Sequence, residues 1–176
     1  MNEPWKPWRK PAGLAKYSNG ELPAAILAKI PNGGTGIQAY LWTGAAWPFA
    51  IMFEMAKRDG IKLRSTGKQY RPLKAQEALF YERMSPTDTG RVPPVKRRYK
   101  GRWWWLKKGK APVATPGTSV HGWGCAVDLD VRNRKTYEWL CNNAPKYGWY
   151  LAGPRYIAGK PNPNFEAWHW QYCQDA

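Results

Sequence analysis

The chain contains two histidines, and each has an acidic residue within seven positions of it. Together these residues are the types that form a metal site. His121 lies seven residues before Asp128, and His169 lies three residues after Glu166. Two imidazoles and one carboxylate are the usual protein ligands of a catalytic Zn²⁺, whose fourth position holds water. A further carboxylate that does not bind the ion must take the proton from that water, and Glu166 is the candidate. The pattern therefore predicts hydrolytic metal chemistry.

The spacing of these residues requires a bent backbone. Residues an odd number apart on an ideal strand point to opposite faces, so neither pair converges on one ion without a bend. Gly122 and Gly124 can provide the bend in the first pair. Prolines upstream of Glu166 place it on an incoming loop, and we expect the strand itself to start near Trp168.

The segments around these residues have the patterns of short helices and strands. Helical spacing and stop signals predict helices over 23–30, 45–57, 73–84 and 133–144. In the second of these, Trp47, Ile51 and Met55 recur at helical spacing and predict an apolar face, which Phe49, Met52 and Phe53 widen. Alternation predicts strands over 61–65, 126–131, 149–151 and 166–172. Helices followed by short strands and long loops indicate an α+β fold.

The length of 176 residues suits a single domain. Prolines in residues 1–23 block both a helix and a central strand, so we expect an extended arm that lies across the domain. We divide the chain into an N-terminal Pro/Gly-rich arm and turn, 1–40, and a catalytic domain, 41–176. Within that domain, 91–118 is predicted to be an irregular, basic, Trp-rich loop.

The charge of the chain favours anionic partners. Lys and Arg number 28 against 12 Asp and Glu, which gives a formal net charge of +16. Nucleic acid, an acidic cell wall and a membrane surface all fit this charge. No apolar run is long enough to span a bilayer, so we do not expect membrane insertion. The first residues also lack the order of a secretory signal, and three cysteines exclude a full disulfide framework.

The tract 91–110 carries nine basic residues, three tryptophans and no acid. Charge and stacking of this kind can bind single-stranded nucleic acid. The tract can also be a solvated loop whose tryptophans pack on the domain. In a third interpretation it flanks the cleft and holds an anionic, sugar-rich polymer. We favour the third, because the loop runs directly into Ser119 and His121, and we do not expect nucleic acid as a partner.

Two clusters of fixed residues resemble the signature of the D-alanyl-D-alanine metallopeptidases, the VanY-type family: Ser119-x-His121-x-x-Gly124-x-Ala126-x-Asp128 and Glu166-x-Trp168-His169. That family shares a zinc fold with lysostaphin-type peptidases and the hedgehog signalling domain. The similarity extends upstream to Tyr70-Arg71-(x)4-Gln76. One departure lies just before it, because the chain reads Ser-Thr-Gly-Lys-Gln-Tyr-Arg where the family often has a tighter Ser-Gly-Tyr-Arg turn.

The resemblance implies a role for each matching residue. It implies one Zn²⁺ per chain, with His121, Asp128 and His169 as ligands. Glu166 would be the general base. Arg71 would bind substrate and stabilise the scissile carbonyl oxygen, and Ser119 would help to hold the substrate. The implied fold is a single α+β domain of the hedgehog/D,D-peptidase type, in which a small antiparallel sheet flanked by helices carries the zinc.

Each of these residues also has an ordinary structural interpretation. A histidine can be a hydrogen-bonded core residue, Glu166 a salt-bridge partner, Arg71 a surface charge and Ser119 a turn cap. Asp130 shares the predicted strand face of Asp128, either as a hydrogen-bond acceptor behind the ligands or as a solvent-facing acid. Cys125 points away from that face and is expected to be a buried thiol.

The resemblance implies a zinc D,D-carboxypeptidase that releases terminal D-alanine from peptidoglycan stem peptides. The first alternative is an endopeptidase of the endolysin type that cuts between L-alanine and D-glutamate. The second is a basic wall- or nucleic-acid-binding module with structural zinc. The target lies outside the cytoplasm and no export signal is apparent, so we expect a bacteriophage protein. It would act either in the virion, with tail proteins as partners, or as a lysis enzyme released from the host cytoplasm.

Overall fold

The structure of the protein is a computed structural model that describes residues 3–173. Three α-helices occur in the order α1 (Thr43–Arg58), α2 (Leu73–Arg83) and α3 (Arg134–Asn143). The strands are all short: β1 (Leu27–Ile30), β2 (Ala39–Trp42), β3 (Met84–Ser85), β4 (Lys96–Tyr99), β5 (Arg102–Leu106), β6 (Ala126–Asp128), β7 (Trp149–Leu151), β8 (Tyr156–Ile157), β9 (Lys160–Pro161) and β10 (His169–Tyr172). Within the described residues, no helix is long and apolar enough to cross a membrane.

The strands form small antiparallel sheets with the orders β1-β2, β6-β10-β7, β3-β5-β4 and β8-β9. In the β6-β10-β7 sheet, β10 is central and pairs with both neighbours. Small antiparallel sheets with separate helices confirm the predicted α+β class. The strand of the second histidine begins at His169, one residue after the predicted start.

Two hydrophobic cores hold these elements together. The main core lies between α1, α3 and the β6-β10-β7 sheet, where the rings of Phe49 and Trp149 meet edge to face with centroids 5.6 Å apart. A second, smaller core lies beneath the β3-β5-β4 sheet and contains Phe80, Leu106 and Val113. The metal motif is therefore built on the first core, and the basic segment on the second.

Helix α1 is present as predicted, and only part of its wide predicted apolar face is buried. Trp47 is 75% exposed and Ile51 is 48% exposed, whereas Phe49 and Met52 are fully buried. Both sets have helical spacing, since this helix is apolar around much of its circumference. The side of the helix with Phe49 and Met52 packs against the main core, and the side with Trp47 and Ile51 faces solvent. Helical spacing alone does not distinguish these two sides.

Three predicted elements differ in the structure. The segment 23–30 is a 3₁₀ turn followed by β1 rather than a helix, because pairing with β2 across the Gly-rich turn overrides the helical propensity of its alanines. The segment 61–65 is extended and makes only a bridge from Ser65 to Leu129. The segment 91–118 is not wholly irregular, because it contains β4 and β5. Lys100 and Gly101, which join them, both have positive φ, as a tight type I′ hairpin requires.

The N-terminal segment lies across the domain. Trp5 bridges to Leu151, and the Trp8 ring stacks on Trp123 with centroids 6.5 Å apart. Leu14, in a short 3₁₀ turn, is fully buried in the main core. The proposed domain boundary after residue 40 stays a prediction, and β2 runs through it. Residues 1, 2 and 174–176 of the predicted arm and domain lie outside the described residues.

Two glycines give the first metal motif its bend, each for its own reason. Gly124 has φ +62°, and a Cβ there would lie 2.5 Å from the backbone nitrogen of Trp42, which donates a hydrogen bond to the Gly124 carbonyl. Gly122 leaves no space for a side chain, since its Cβ would lie 2.1 Å from Oδ1 of Asn19. The chain can therefore pass close to its neighbours and turn between His121 and Asp128.

We expect Gly124→Ala to lower the free energy of unfolding by about 3 kcal/mol, because it combines a left-handed backbone with a backbone clash. Gly60→Ala is the matched control: Gly60 has φ +73°, but no atom lies within 4 Å of its added Cβ. That control should lose only about 1 kcal/mol. Urea denaturation of both variants measures the difference, and equal losses would contradict the role given to the close approach.

Candidate metal centre

Three side chains from two strands and a turn meet at one point. The ligand atoms of His121, Asp128 and His169 all lie within 4.8 Å of one another. Oδ1 of Asp128 lies 3.3 Å from Nε2 of His121 and 2.9 Å from Nδ1 of His169. Asp128 and His169 are direct partners in the β6–β10 register, so their side chains share one face. His121 reaches the same point from the 3₁₀ turn Val120–Trp123.

The donor set fits Zn²⁺. Two imidazole nitrogens and one carboxylate oxygen are the donors of catalytic zinc sites that keep one position open. Tetrahedral ligands at 2.0–2.2 Å from zinc lie about 3.3 Å from one another. The separation of His121 and Asp128 has this value, that of Asp128 and His169 is 2.9 Å, and all three ligand atoms lie within 4.8 Å of one another. The three residues would therefore hold a zinc ion without rearrangement of the sheet.

His121 is oriented for ligation through Nε2. The side chain is buried, and its Nδ1 lies 2.8 Å from the carbonyl oxygen of Gln69, to which the Nδ1–H donates. Desolvation by burial lowers the pKa of His121, although the nearby Asp128 opposes this effect. A neutral imidazole with its proton fixed on Nδ1 presents the Nε2 lone pair to the metal.

Gln69 contacts two of the three ligand residues. Besides the carbonyl contact to His121, its side-chain Oε1 accepts a hydrogen bond of 2.7 Å from the backbone N–H of Asp128. Its Nε2 donates to Ser65 and Gly67, which anchors the amide. Gln69 is buried and has φ +67°, a conformation costly for a residue other than glycine. The surrounding hydrogen bonds hold it there.

Gln69 was not predicted as a site residue, although its position in the sequence indicated a structural role. Gln69 directly precedes Tyr70-Arg71, where the family often has glycine in the Ser-Gly-Tyr-Arg turn. Glycine adopts positive φ freely, so a glutamine there indicates a side chain with a structural role. The amide of this side chain reaches the backbone N–H of Asp128.

His169 faces the other ligands through Nδ1, whereas its Nε2 lies 3.2 Å from the amide nitrogen Nε2 of Gln171, whose Oε1 takes that place when the amide is turned over. An imidazole that binds metal through Nδ1 keeps its proton on Nε2 and needs an acceptor there. The Gln171 amide meets this need when Oε1 faces the ring. Gln171 is buried in the same strand two residues later, and the sequence analysis missed it as well.

A cleft of about 400 Å³ opens over the three ligand residues. The remaining residues of the predicted site line it: Arg71, Ser119 and Glu166. The backbone N–H of Arg71 donates to the carbonyl of His121, which keeps the arginine beside the metal turn. Arg83, at the end of α2, also lines the cleft and adds a second guanidinium that the sequence analysis did not include. The predicted residues are thus brought together, and their individual roles remain predictions.

The charged groups of the cleft influence one another. Partial desolvation raises the pKa of the Glu166 carboxyl, while His169 lowers it and Asp128 raises it further. Burial lowers the pKa of Arg71, and the negative charges of Asp128 and Glu166 oppose that shift. Burial also disfavours the charge on Asp128, but hydrogen bonds from both histidines outweigh it and hold its pKa well below the usual range.

Two neighbouring candidates do not join the centre. Asp130 forms an ion pair of 2.6 Å with Arg132 and does not line the cleft, which matches the solvent-facing interpretation. Cys125 is buried with a free thiol, as expected. Glu166 forms no ion pair with Lys or Arg among residues 3–173, so its carboxylate is available to the cleft.

Comparison with known proteins agrees with the arrangement of this centre. The family model described as VanY, D-alanyl-D-alanine carboxypeptidase, matches residues 38–175. The chain belongs to the VanY family. The match to the VanY model spans both motifs and all three strands of the β6-β10-β7 sheet.

Three proteins show how similar this chain is to known proteins in sequence and in fold. YodJ of Bacillus subtilis (strain 168), named for a carboxypeptidase activity, is 27% identical over 144 residues, which cover 76% of this chain and 46% of YodJ. The solved LdcB LD-carboxypeptidase has a TM-score of 0.59 at 24% identity and covers 87% of this chain and 70% of its own. The VanY D,D-pentapeptidase of the VanB-type resistance cassette, solved as a mutant with Zn(II), has a TM-score of 0.52 at 24% identity, over 87% of this chain and 83% of its own. The chain spans less than half the length of the curated relatives it matches.

We expect Gln69→Ala to weaken Zn²⁺ binding by about 10- to 100-fold, because the backbone of Asp128 loses its anchor. Competition with a chromophoric chelator measures the affinity. Gln69→Gly accommodates the positive φ but also lacks the amide, so an equal loss in both variants assigns the effect to the side chain. Gln38→Ala, at an exposed glutamine, is the control. Unchanged affinity in Gln69→Ala would refute the positioning role.

Proposed function

We propose that the chain is a zinc-dependent D,D-carboxypeptidase that removes terminal D-alanine from peptidoglycan stem peptides. The observation that carries this proposal is the cluster of His121, Asp128 and His169 at the floor of a cleft that Glu166 and Arg71 also line. A purely structural zinc site would be closed by a fourth protein ligand. Here three ligands face an open cleft, in a chain of a carboxypeptidase family.

Hydrolysis of the terminal peptide bond needs an acceptor for a proton and a donor for the leaving amine. When bound, Zn²⁺ supplies Lewis acidity and a water whose pKa is lowered to about 7. The Glu166 carboxylate accepts the proton from the attacking water and returns it to the amino group of the departing D-alanine. A raised pKa suits this role, because the carboxylate is then a better acceptor for the proton of water. The departing amine is more basic still, so it takes the proton from Glu166 in the second step.

The two guanidinium groups of the cleft have complementary tasks in this proposal. Arg71, fixed beside the metal turn, stabilises the negative charge that develops on the scissile carbonyl oxygen. Arg83 donates to the carbonyl of Pro112 and keeps further donors for the free carboxylate at the end of the substrate. Ser119, at the cleft wall, would hold the substrate backbone. A carboxypeptidase requires recognition of a chain end, and a second cation supports that assignment.

Three alternatives share parts of this site. An endopeptidase that cuts between L-alanine and D-glutamate would use the same metal residues and a cleft open at both ends. An L,D-carboxypeptidase, the activity for which the structural relative LdcB is named, would accept the stem after its last residue has been removed. A basic binding module would need no general base. The carboxylate of Glu166 in the cleft therefore argues against this alternative.

Purified muropeptides with pentapeptide and tetrapeptide stems, incubated separately with the enzyme, distinguish these activities by mass spectrometry. We expect loss of one alanine from the pentapeptide, abolished by a chelator and restored by Zn²⁺. Loss from the tetrapeptide alone would instead establish L,D-carboxypeptidase activity. Cleavage within the stem would establish the endopeptidase, and intact products with both substrates would favour the binding module.

Substitutions at the metal centre should separate metal binding from turnover. His121→Ala should remove the bound zinc, which we expect at one ion per chain, because one of three donors is lost. Glu166→Gln should retain the zinc and lower kcat by about 100-fold or more, since the amide cannot accept the proton. Metal analysis and pentapeptide turnover measure the two effects. A zinc-loaded His121→Ala variant or a fully active Glu166→Gln variant would contradict the assignment.

The biological setting extends the same proposal. We propose a bacteriophage enzyme that acts on the cell wall, either as a tail component or as a lysis enzyme. The net charge of +16 supports a cell-wall target, because an anionic wall attracts a basic protein. This holds both for a tail component and for a lysis enzyme. The two routes differ in where the chain resides, in the virion or free in the infected cell.

A further inference from the structure

The hairpin formed by β4 and β5 has two different faces. Residues directly opposite on antiparallel strands share a face, and Arg97–Trp104 and Tyr99–Arg102 are such pairs. The rings of Tyr99 and Trp104 lie 5.2 and 5.5 Å from that of Phe80 on α2. This face is therefore the one that attaches the hairpin to the domain.

The opposite face carries the pairs Lys96–Trp105 and Arg98–Trp103, and we call these four residues the exposed hairpin face. Trp103 is 46% exposed, and Lys96 and Arg98 are both exposed. The Lys96 ammonium lies 4.8 Å from the centroid of the Trp103 ring. Indoles and cations thus alternate on a solvent-facing surface.

The cations of the exposed hairpin face are not neutralised within the domain. Nearby lysines are paired, Lys100 with Glu77 and Lys110 with Glu82. Among residues 3–173, no carboxylate forms an ion pair with Lys96 or Arg98. Two solvated cations beside an exposed tryptophan ring leave charge and stacking surface for an external partner.

The hairpin is continuous with the wall of the catalytic cleft. Leu106, at the end of β5, shares the second hydrophobic core with Val113. Residues 111–114 line the cleft, and Arg83 joins α2 to this segment through the Pro112 carbonyl. A polymer whose side branch enters the cleft can therefore extend over the hairpin.

We propose that the exposed hairpin face binds the peptidoglycan strand next to the stem peptide in the cleft. Amino-sugar rings would stack on Trp103, since Trp105 is half-buried, and carboxylates of neighbouring stems would pair with Lys96 and Arg98. The identity of the polymer rests on the proposed function. Single-stranded nucleic acid offers similar charge and stacking, but the shared wall with the cleft favours the polymer that also supplies the substrate.

Co-sedimentation of the full chain with purified sacculi, stripped of attached secondary polymers, tests this surface without requiring hydrolysis. We expect Trp103→Ala to weaken binding about tenfold through lost stacking. The double variant Lys96→Ala/Arg98→Ala should weaken it similarly and reduce its dependence on salt. Trp47→Ala and Lys57→Ala/Arg58→Ala remove an exposed tryptophan and two cations from α1 and should bind like the original protein.

Turnover of a soluble pentapeptide muropeptide separates this proposal from the proposed function. We expect Trp103→Ala to retain that turnover and to lose activity only on intact sacculi. Normal binding of sacculi by both hairpin variants would overturn the docking surface even if the pentapeptide is hydrolysed. Tighter binding of a single-stranded oligonucleotide than of sacculi, lost in the same variants, would also overturn it. Sedimentation that depends on the hairpin, without any D-alanine release, would leave the docking surface standing and remove the proposed activity.

Discussion

The antiparallel pairing of β6 with β10 is the constraint on which the candidate metal centre depends. Asp128 and His169 lie 41 residues apart in sequence, and the register makes them direct cross-strand partners. A slip of one residue would turn one of the two side chains to the opposite face of the sheet. The buried ring of Trp170, next to His169, prevents such a slip because it would move into solvent. The main core therefore fixes the geometry of the centre.

The third ligand residue is positioned by backbone groups rather than by the sheet. His121 belongs to a 3₁₀ turn, and its ring is held by the carbonyl of Gln69. The same residue reaches Asp128 with its amide, so the turn and the sheet share one support. The left-handed backbone of Gln69 is an energetic cost at a functional position, which the surrounding hydrogen bonds offset.

Sequence patterns predicted which residues meet at the candidate metal centre better than they predicted the packing of the core. The helices α1 and α2, the strand at Trp149 and the residues that meet at the metal centre were all predicted, because motif spacing and helix stop signals act locally. The predicted apolar face of α1 was too wide, since Trp47 and Phe49 are equally apolar and only tertiary contacts bury Phe49 and expose Trp47. Strand β1 was taken for a helix because its partner β2 lies beyond a glycine-rich turn. Gln69 was missed because the replacement of glycine before Tyr70-Arg71 indicates a structural role but does not identify Asp128 and His121 as the partners.

The separation of the two hydrophobic cores has a functional consequence. The candidate metal ligands rest on the main core, while the β3-β5-β4 sheet rests on Phe80, Met84 and Leu106. Changes on the exposed hairpin face can alter attraction to a polyanion without disturbing the register of β6 and β10. The cleft lies where the two units meet, lined by Glu166 from the side of the first core and by Arg83 from the side of the second. In the proposed function, substitutions could therefore change hydrolysis and polymer binding independently, provided that residues 111–114 keep the cleft and the hairpin aligned.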